Sequence, residues 1–269
     1  MVVEPDALIG EGERARIEAA ARAASAPPFP VPPFRLRLVA KAPWPGADTE
    51  SHADHVPATV RAEGRRLRVV HRRLLAELDL DALHGQLWRS GPDDGSVEIA
   101  LRVALTARLP SLGALPLHAA GVVVDGAGFV FFGPSGAGKS TLAGLAPGAV
   151  LSDELVAVTL DPPEARASGF WGAMRAGRAA PPALPLAGLV ELGKGPAFRI
   201  EPLAPEAALR RLLGVLLVPP LPSAWTTAMA LAARAARELP IHRMEWSPAE
   251  PPWDRLRYER FRAWSIAQP

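Results

Sequence analysis

Gly133-Pro134-Ser135-Gly136-Ala137-Gly138-Lys139-Ser140 satisfies the pattern G-x-x-x-x-G-K-[ST] in full, and Thr141 follows it. Each part of that pattern has a physical task. Glycines let the backbone wrap tightly and turn its N–H groups toward one centre, which makes a cradle for phosphate anions. A lysine at position 139 can reach the β- and γ-phosphates of a nucleotide, and the Ser140 hydroxyl can ligate Mg²⁺. Residues 133–141 are therefore the candidate nucleotide site. The chain holds only three lysines, Lys41, Lys139 and Lys194, so Lys139 stands out in the loop. Soon afterwards come two adjacent carboxylates, Asp153 and Glu154. Such a pair can divide two jobs, one carboxylate holding a metal and the other accepting a proton from an attacking hydroxyl or water. His118 lies upstream, beside an apolar run, where a structural role and a place in the site are both open.

The elements around these residues suit that chemistry. Residues 117–124 are apolar enough for a strand, and Asp125-Gly126-Ala127-Gly128 reads as a tight turn. Phe129-Val130-Phe131-Phe132 is wholly apolar, as expected of a strand buried on both faces, and runs directly into the glycine loop. Residues 139–145 form a short helix ended by Pro147-Gly148, and residues 149–151 make another buried strand with Asp153 and Glu154 at its carboxyl end. In α/β sheets that end is where ligand sites gather.

The rest of the chain divides near residue 110, where Pro110-Ser111-Leu112-Gly113 breaks it. Residues 1–30 read as a helix over 11–24 and a Pro-rich linker; residues 31–110 as a small α/β module; residues 111–269 as the domain carrying the loop. Within the module, residues 34–39 alternate as a strand does, and residues 58–73 form a hairpin turning at Glu63-Gly64, with Leu67 and Val69 on one face. Six arginines fall between Arg61 and Arg73, either as a solvated face or as a surface for an acidic peptide or protein. Residues 74–88 and 96–109 look helical, the second preceded by the turn Asp93-Asp94-Gly95-Ser96. Further on, residues 184–192 suggest a strand, 205–217 and 224–239 helices, and 241–246 a last strand. Trp253, Leu256, Phe261 and Trp264 share a helical face that packs on its own domain or forms a dimer contact.

Composition bounds the remaining classes. With 49% hydrophobic and 22% charged residues, the chain reads as a globular protein. A net charge of +2 argues against nucleic acid as partner, and the absence of cysteine excludes disulfides and thiolate metal sites. There is no apolar stretch of membrane-spanning length and no signal-peptide pattern, so a cytoplasmic location is expected.

Taken together, His118-Ala119, residues 130–142 and Leu151-Ser152-Asp153-Glu154 resemble the catalytic core of HPr kinase and its relatives, and are similar to ATP-dependent phosphoenolpyruvate carboxykinase. The resemblance is close over 117–156, loose over 165–245 and absent from 1–110. It implies a P-loop domain of the HPr kinase/carboxykinase type, with ATP and Mg²⁺ (or Mn²⁺) as its requirements. It implies Asp153 as the base that deprotonates the acceptor, with Ser140, Glu154 and His118 around the metal. The related sequences have two aspartates where this chain has Asp-Glu, so the division of roles within the pair stays open. The family also neutralises phosphate charge with downstream arginines, for which Arg175 and Arg178 are the candidates. No counterpart of the Gly-Arg-Asn-rich segment of the bifunctional kinase/phosphorylases is present, which argues against phosphorylase activity and against HPr as substrate.

The expectation is thus an ATP-dependent kinase acting on a hydroxyl of a peptide, protein or small molecule, resembling the stand-alone HPr-kinase-like proteins. The alternative is an ATP-binding regulatory module with little transfer. An ABC-type ATPase is excluded by the missing Leu-Ser-Gly-Gly-Gln signature and by an acidic pair too close to the loop. A carboxykinase is disfavoured by the short chain.

Overall fold

The computed structural model describes residues 2–4, 34–40, 58–72, 74–89, 96–160, 165–170 and 183–256. It is a mixed α/β protein built on two sheets. By contact the chain forms two compact units, residues 1–108 with 218–225, and residues 109–217 with 226–269. Among the described residues no helix is long and apolar enough to cross a membrane. The expected helix over 11–24, the linker over 26–33 and most of the aromatic tail face lie outside the described residues.

The first unit holds β1 (Val2–Glu4), β2 (Arg35–Ala40), β3 (Thr59–Glu63), β4 (Arg66–His71), β5 (Leu74–Asp79) and β6 (His84–Arg89), in the order β1-β2-β6-β5-β4-β3. Helix α1 (Ser96–Arg108) packs on β4 and β5 and buries Val97, Ala100, Leu101 and Ala104. Alternation along β4 puts Leu67 and Val69 in the core and Arg66 and Arg68 in solvent, as the period of two requires. The β3–β4 turn passes through Gly64 at φ 61°, as expected from the sequence.

Residues 74–88, expected to be helical, form the β5–β6 hairpin instead. Leucine, alanine and glutamate favour helix in isolation, but tertiary pairing overrides so weak a preference. The turn has its own chemistry: Asp79 Oδ1 accepts the N–H groups of Asp81 (3.0 Å) and Ala82 (2.8 Å). The Ala82 N–H, above all, holds the Asp79 carboxyl below its ordinary range. Leu83 then adopts a left-handed φ of 55°, which reverses the chain.

The second unit holds eight strands. These are β7 (Ala114–Val124), β8 (Ala127–Phe132), β9 (Val150–Ser152), β10 (Leu155–Thr159), β11 (Arg166–Phe170), β12 (Leu184–Lys194), β13 (Arg199–Pro202) and β14 (Ile241–Trp246). Their order is β11-β10-β7-β8-β12-β14-β13, with β9 beside β7 and β11 also paired to β12. The long strand β7 pairs its first half with β10 and its second half with β8 and β9. Strands β8, β12 and β14 run parallel. All six residues of β8 are buried, which is why its sequence is a continuous apolar run.

Three helices belong to this part of the chain: α2 (Lys139–Gly144), α3 (Pro205–Leu213) and α4 (Pro222–Glu238). One face of the sheet packs Val130, Phe132 and Leu189 with Leu212 of α3 and Ala232 of α4. The opposite face packs Phe131, Val190 and Met244 with Leu142 of α2, Trp246 and Trp253. Helix α3 stops at Leu213 rather than near 217, because the following backbone is used elsewhere. Val215 O accepts the His118 N–H (2.8 Å), and Leu217 N–H donates to Pro116 O (3.0 Å), so residues 215–217 run along β7.

Candidate functional site

The site begins where β8 ends. After Phe132 the chain makes the glycine loop and enters α2 at Lys139, the strand–loop–helix order that a phosphate-binding loop requires. Gly138, the second glycine of the pattern (φ 99°), and Gly136 within it (φ 77°) sit in the left-handed region, so backbone conformation demands glycine at both. Pro134, Ser135 and Gly136 face solvent, as do Ser140 and Thr141, whereas Ala137 and Lys139 are buried. The open side of the loop and the Ser140 hydroxyl are thus accessible while its inner wall is packed.

Lys139 Nζ donates to Gly133 O (2.9 Å) and Pro134 O (3.2 Å), so the lysine ties the loop to itself. Burial lowers the Lys139 pKa from its ordinary 10.5, and the nearby charge of Glu154 works in the opposite sense. That influence places Glu154 within electrostatic reach of the loop lysine.

Asp153 and Glu154 form the turn between β9 and β10. Asp153 is buried and Glu154 half-buried. The turn is held by Ser152, whose fully buried side chain makes three hydrogen bonds. Its Oγ accepts the N–H groups of Glu154 and Leu155 (3.0 Å each) and donates to Phe170 O (2.8 Å). A hydroxyl that satisfies the backbone two and three residues ahead is a turn-forming device. Here it fixes the backbone of the turn that carries both carboxylates. His118 stands opposite Leu155 in the β7–β10 register, one residue from Glu154. The β7–β10 register thus sets His118 beside the acidic turn, and the charge of Glu154 acts on Lys139 of the loop. Arg175 and Arg178 lie outside the described residues.

Two residues with no assigned role in the sequence reading belong to this neighbourhood. Ser152 is one; its signal was a hydroxyl residue directly before the acidic pair. The other is Glu191 on β12, in register with Phe132, the last residue before the loop. It is buried, receives Arg211 Nε on one carboxylate oxygen (3.2 Å), and leaves Oε2 buried without a hydrogen-bond partner among the described residues. Its signal was a carboxylate within the otherwise apolar run of residues 184–192.

Among the described residues, no three His, Asp or Glu side chains gather closely enough to hold a metal. One or two carboxylates with a hydroxyl are the donor set of a Mg²⁺ that takes its other ligands from phosphate and water. Ser140 with Glu154 or Asp153 fits that description, and His118 is the further candidate.

The chain matches no protein-family model, and no curated protein matches it in sequence.

Proposed function

We propose that the protein is an ATP-dependent kinase of the HPr kinase type, transferring the γ-phosphate of ATP to a hydroxyl of a peptide, protein or small molecule. The observation that carries this reading is the strand–loop–helix form of residues 133–139 together with a Ser152-anchored acidic turn whose Glu154 acts electrostatically on Lys139. A loop alone would support binding. An acidic pair on a fixed turn, with one carboxylate buried and the other acting on the loop lysine, supports transfer.

In this reading the loop N–H groups and Lys139 bind the β- and γ-phosphates, and Ser140 with Glu154 would hold Mg²⁺. The metal, when bound, supplies charge neutralisation of the phosphates. Asp153 takes the proton of the acceptor hydroxyl as its oxygen forms a bond to the γ-phosphorus. The bond from that phosphorus to the β–γ bridging oxygen breaks, and ADP leaves. Asp153 and Glu154 differ by one methylene and one position, and the more buried Asp153 is assigned the proton because water is better excluded from it.

The test is kinetic. Asp153→Asn is expected to keep ATP binding and to lower transfer by at least ~10²-fold, the scale of a lost general base. Normal transfer by Asp153→Asn, or loss of ATP binding in that variant, contradicts the assignment.

A further inference from the structure

Trp246 ends β14, and its indole lies against the glycine loop two strands away. A Cβ built on Gly138 would fall 3.2 Å from Trp246 Cζ2 and 3.8 Å from both Cε2 and Nε1. These three atoms form the N–H edge of the indole, so it is that edge which faces Gly138. Residue 138 is thus restricted to glycine twice over, by its left-handed φ of 99° and by the indole against it. Trp246 is 3% exposed and shares a core cluster with Ala137 of the loop and Leu142 of α2. Its Nε1 is buried and has no hydrogen-bond partner among the described residues.

An indole N–H is a donor only, and it normally finds an acceptor when buried. Leaving it desolvated and unpaired opposes folding with nothing in return. A phenylalanine would fill much of the same space without that cost. An orphan donor on the edge that meets the phosphate-binding loop is accounted for if its acceptor arrives in another state of the loop. Trp253 provides the contrast. Its Nε1 is also buried and unpaired, but its ring packs edge-on against Phe131, at 5.9 Å and 84°, beneath the strand rather than against the loop glycine.

We propose that Trp246 is a positioning residue for the nucleotide loop, buttressing Gly138, and that its indole N–H gains an oxygen acceptor only when nucleotide is bound. This rests on the reading of residues 133–141 as a nucleotide site. The indole touches the loop rather than the reacting atoms, so it acts on binding, and its contribution appears in the affinity for ATP before it appears in kcat.

The experiment is an indole ¹H–¹⁵N spectrum of tryptophan-labelled full-length protein, titrated with Mg²⁺-ATP, with ATP binding followed separately by calorimetry. Trp246→Phe and Trp253→Phe assign the resonances of these two indoles. The Trp246 indole proton is expected to move downfield and its exchange with water to slow as ATP saturates, while the Trp253 resonance stays in place. Trp246→Phe is expected to bind ATP about tenfold more weakly, the equivalent of one lost hydrogen bond, with Trp253→Phe binding as the wild type does. An unmoved Trp246 resonance in protein that calorimetry shows to be saturated overturns the proposal, as does wild-type affinity in Trp246→Phe. If Trp246→Phe does not fold, Trp246→Tyr assigns the resonance by its loss, and the wild-type shift decides. Failure of the wild type to bind ATP at all would instead overturn the reading of the loop.

Discussion

The two sheets use their strands in opposite ways. In the second unit β8 is buried along its whole length, so none of its side chains is available to a ligand, and the chemistry is displaced to the loop at its carboxyl end. In the first unit one face is wet. Across β6, β5, β4 and β3 the register aligns His84, Asp79, Arg66 and Glu63 in one row, and Gln86, Glu77, Arg68 and Arg61 in the next. These rows line a concavity of about 510 Å³. A sheet covered on both faces can only place a loop, whereas a sheet covered on one face can display a pattern of charge. On the proposed function, the contrast would give nucleotide chemistry to the second unit and, as a hypothesis, acceptor recognition to the wet face of the first.

The sharpest way to break this division is at Lys139. Lys139→Ala removes the cation proposed to meet the phosphates and the hydrogen bonds it makes to the Gly133 and Pro134 carbonyls. ATP affinity is expected to fall by about 100-fold or more, the scale of charge-assisted bonds to phosphate. Calorimetric affinity near that of the wild type would show that residues 133–141 are not the nucleotide site.

A smaller loss is expected from Ser152→Ala, which deprives the acidic turn of its anchor while leaving both carboxylates in place. With two backbone N–H groups and the Phe170 carbonyl left without their partner, stability should fall by about 1–3 kcal/mol. Transfer should fall about tenfold through misplaced carboxylates, with ATP affinity little changed. Transfer at the wild-type rate in a variant with a lowered Tm would mean that the turn needs no such anchoring.

The titration of Lys139 gives a third prediction. Its folded-state pKa is lowered by burial from 10.5, so in the pH window below 10.5 the unfolded chain binds more protons than the folded one. Stability contributed by this group therefore rises with pH through that window and is level above it. The Tm difference between Lys139→Met and wild type should shift in favour of wild type as pH rises from 7 toward 10. A difference independent of pH would show that burial does not disfavour the charged lysine.

The least effect is expected on the wet face. Arg61 and Arg68 stand directly opposite each other on β3 and β4, and like charges so placed oppose pairing unless a partner separates them. Arg61→Glu with Arg68→Glu should raise the acceptor KM by several-fold, on the scale of surface charge pairs, and leave ATP affinity unchanged. An unchanged acceptor KM would remove the first unit's proposed role.

The same contrast explains what could be read from the residues alone. The loop, the strand before it and the acidic pair were legible because they depend on local pattern: four consecutive apolar residues, glycines at left-handed positions, and carboxylates at a strand end. The β3–β4 hairpin was legible from its alternation and from Gly64. The β5–β6 hairpin was not, since Leu74 to Trp88 is rich in helix formers, and its turn depends on Asp79 capping N–H groups and on Leu83 accepting a left-handed backbone. Glu191 and Trp246 were illegible as neighbours of the loop because contact with it depends on β12 and β14 lying parallel to β8, a pairing made by residues distant in the chain. Arg175 and Arg178 fall outside the described residues, so their expected contact with phosphate stands as a proposal.

The central claim is tested most directly with γ-³²P-ATP and Mg²⁺ in a lysate of the source organism, comparing wild-type protein with Asp153→Asn. The account predicts a labelled peptide, protein or small molecule with the wild type and little or none with Asp153→Asn, while both proteins bind ATP. Equal labelling by the two proteins, or ATP bound tightly by the wild type with no acceptor labelled, would contradict it.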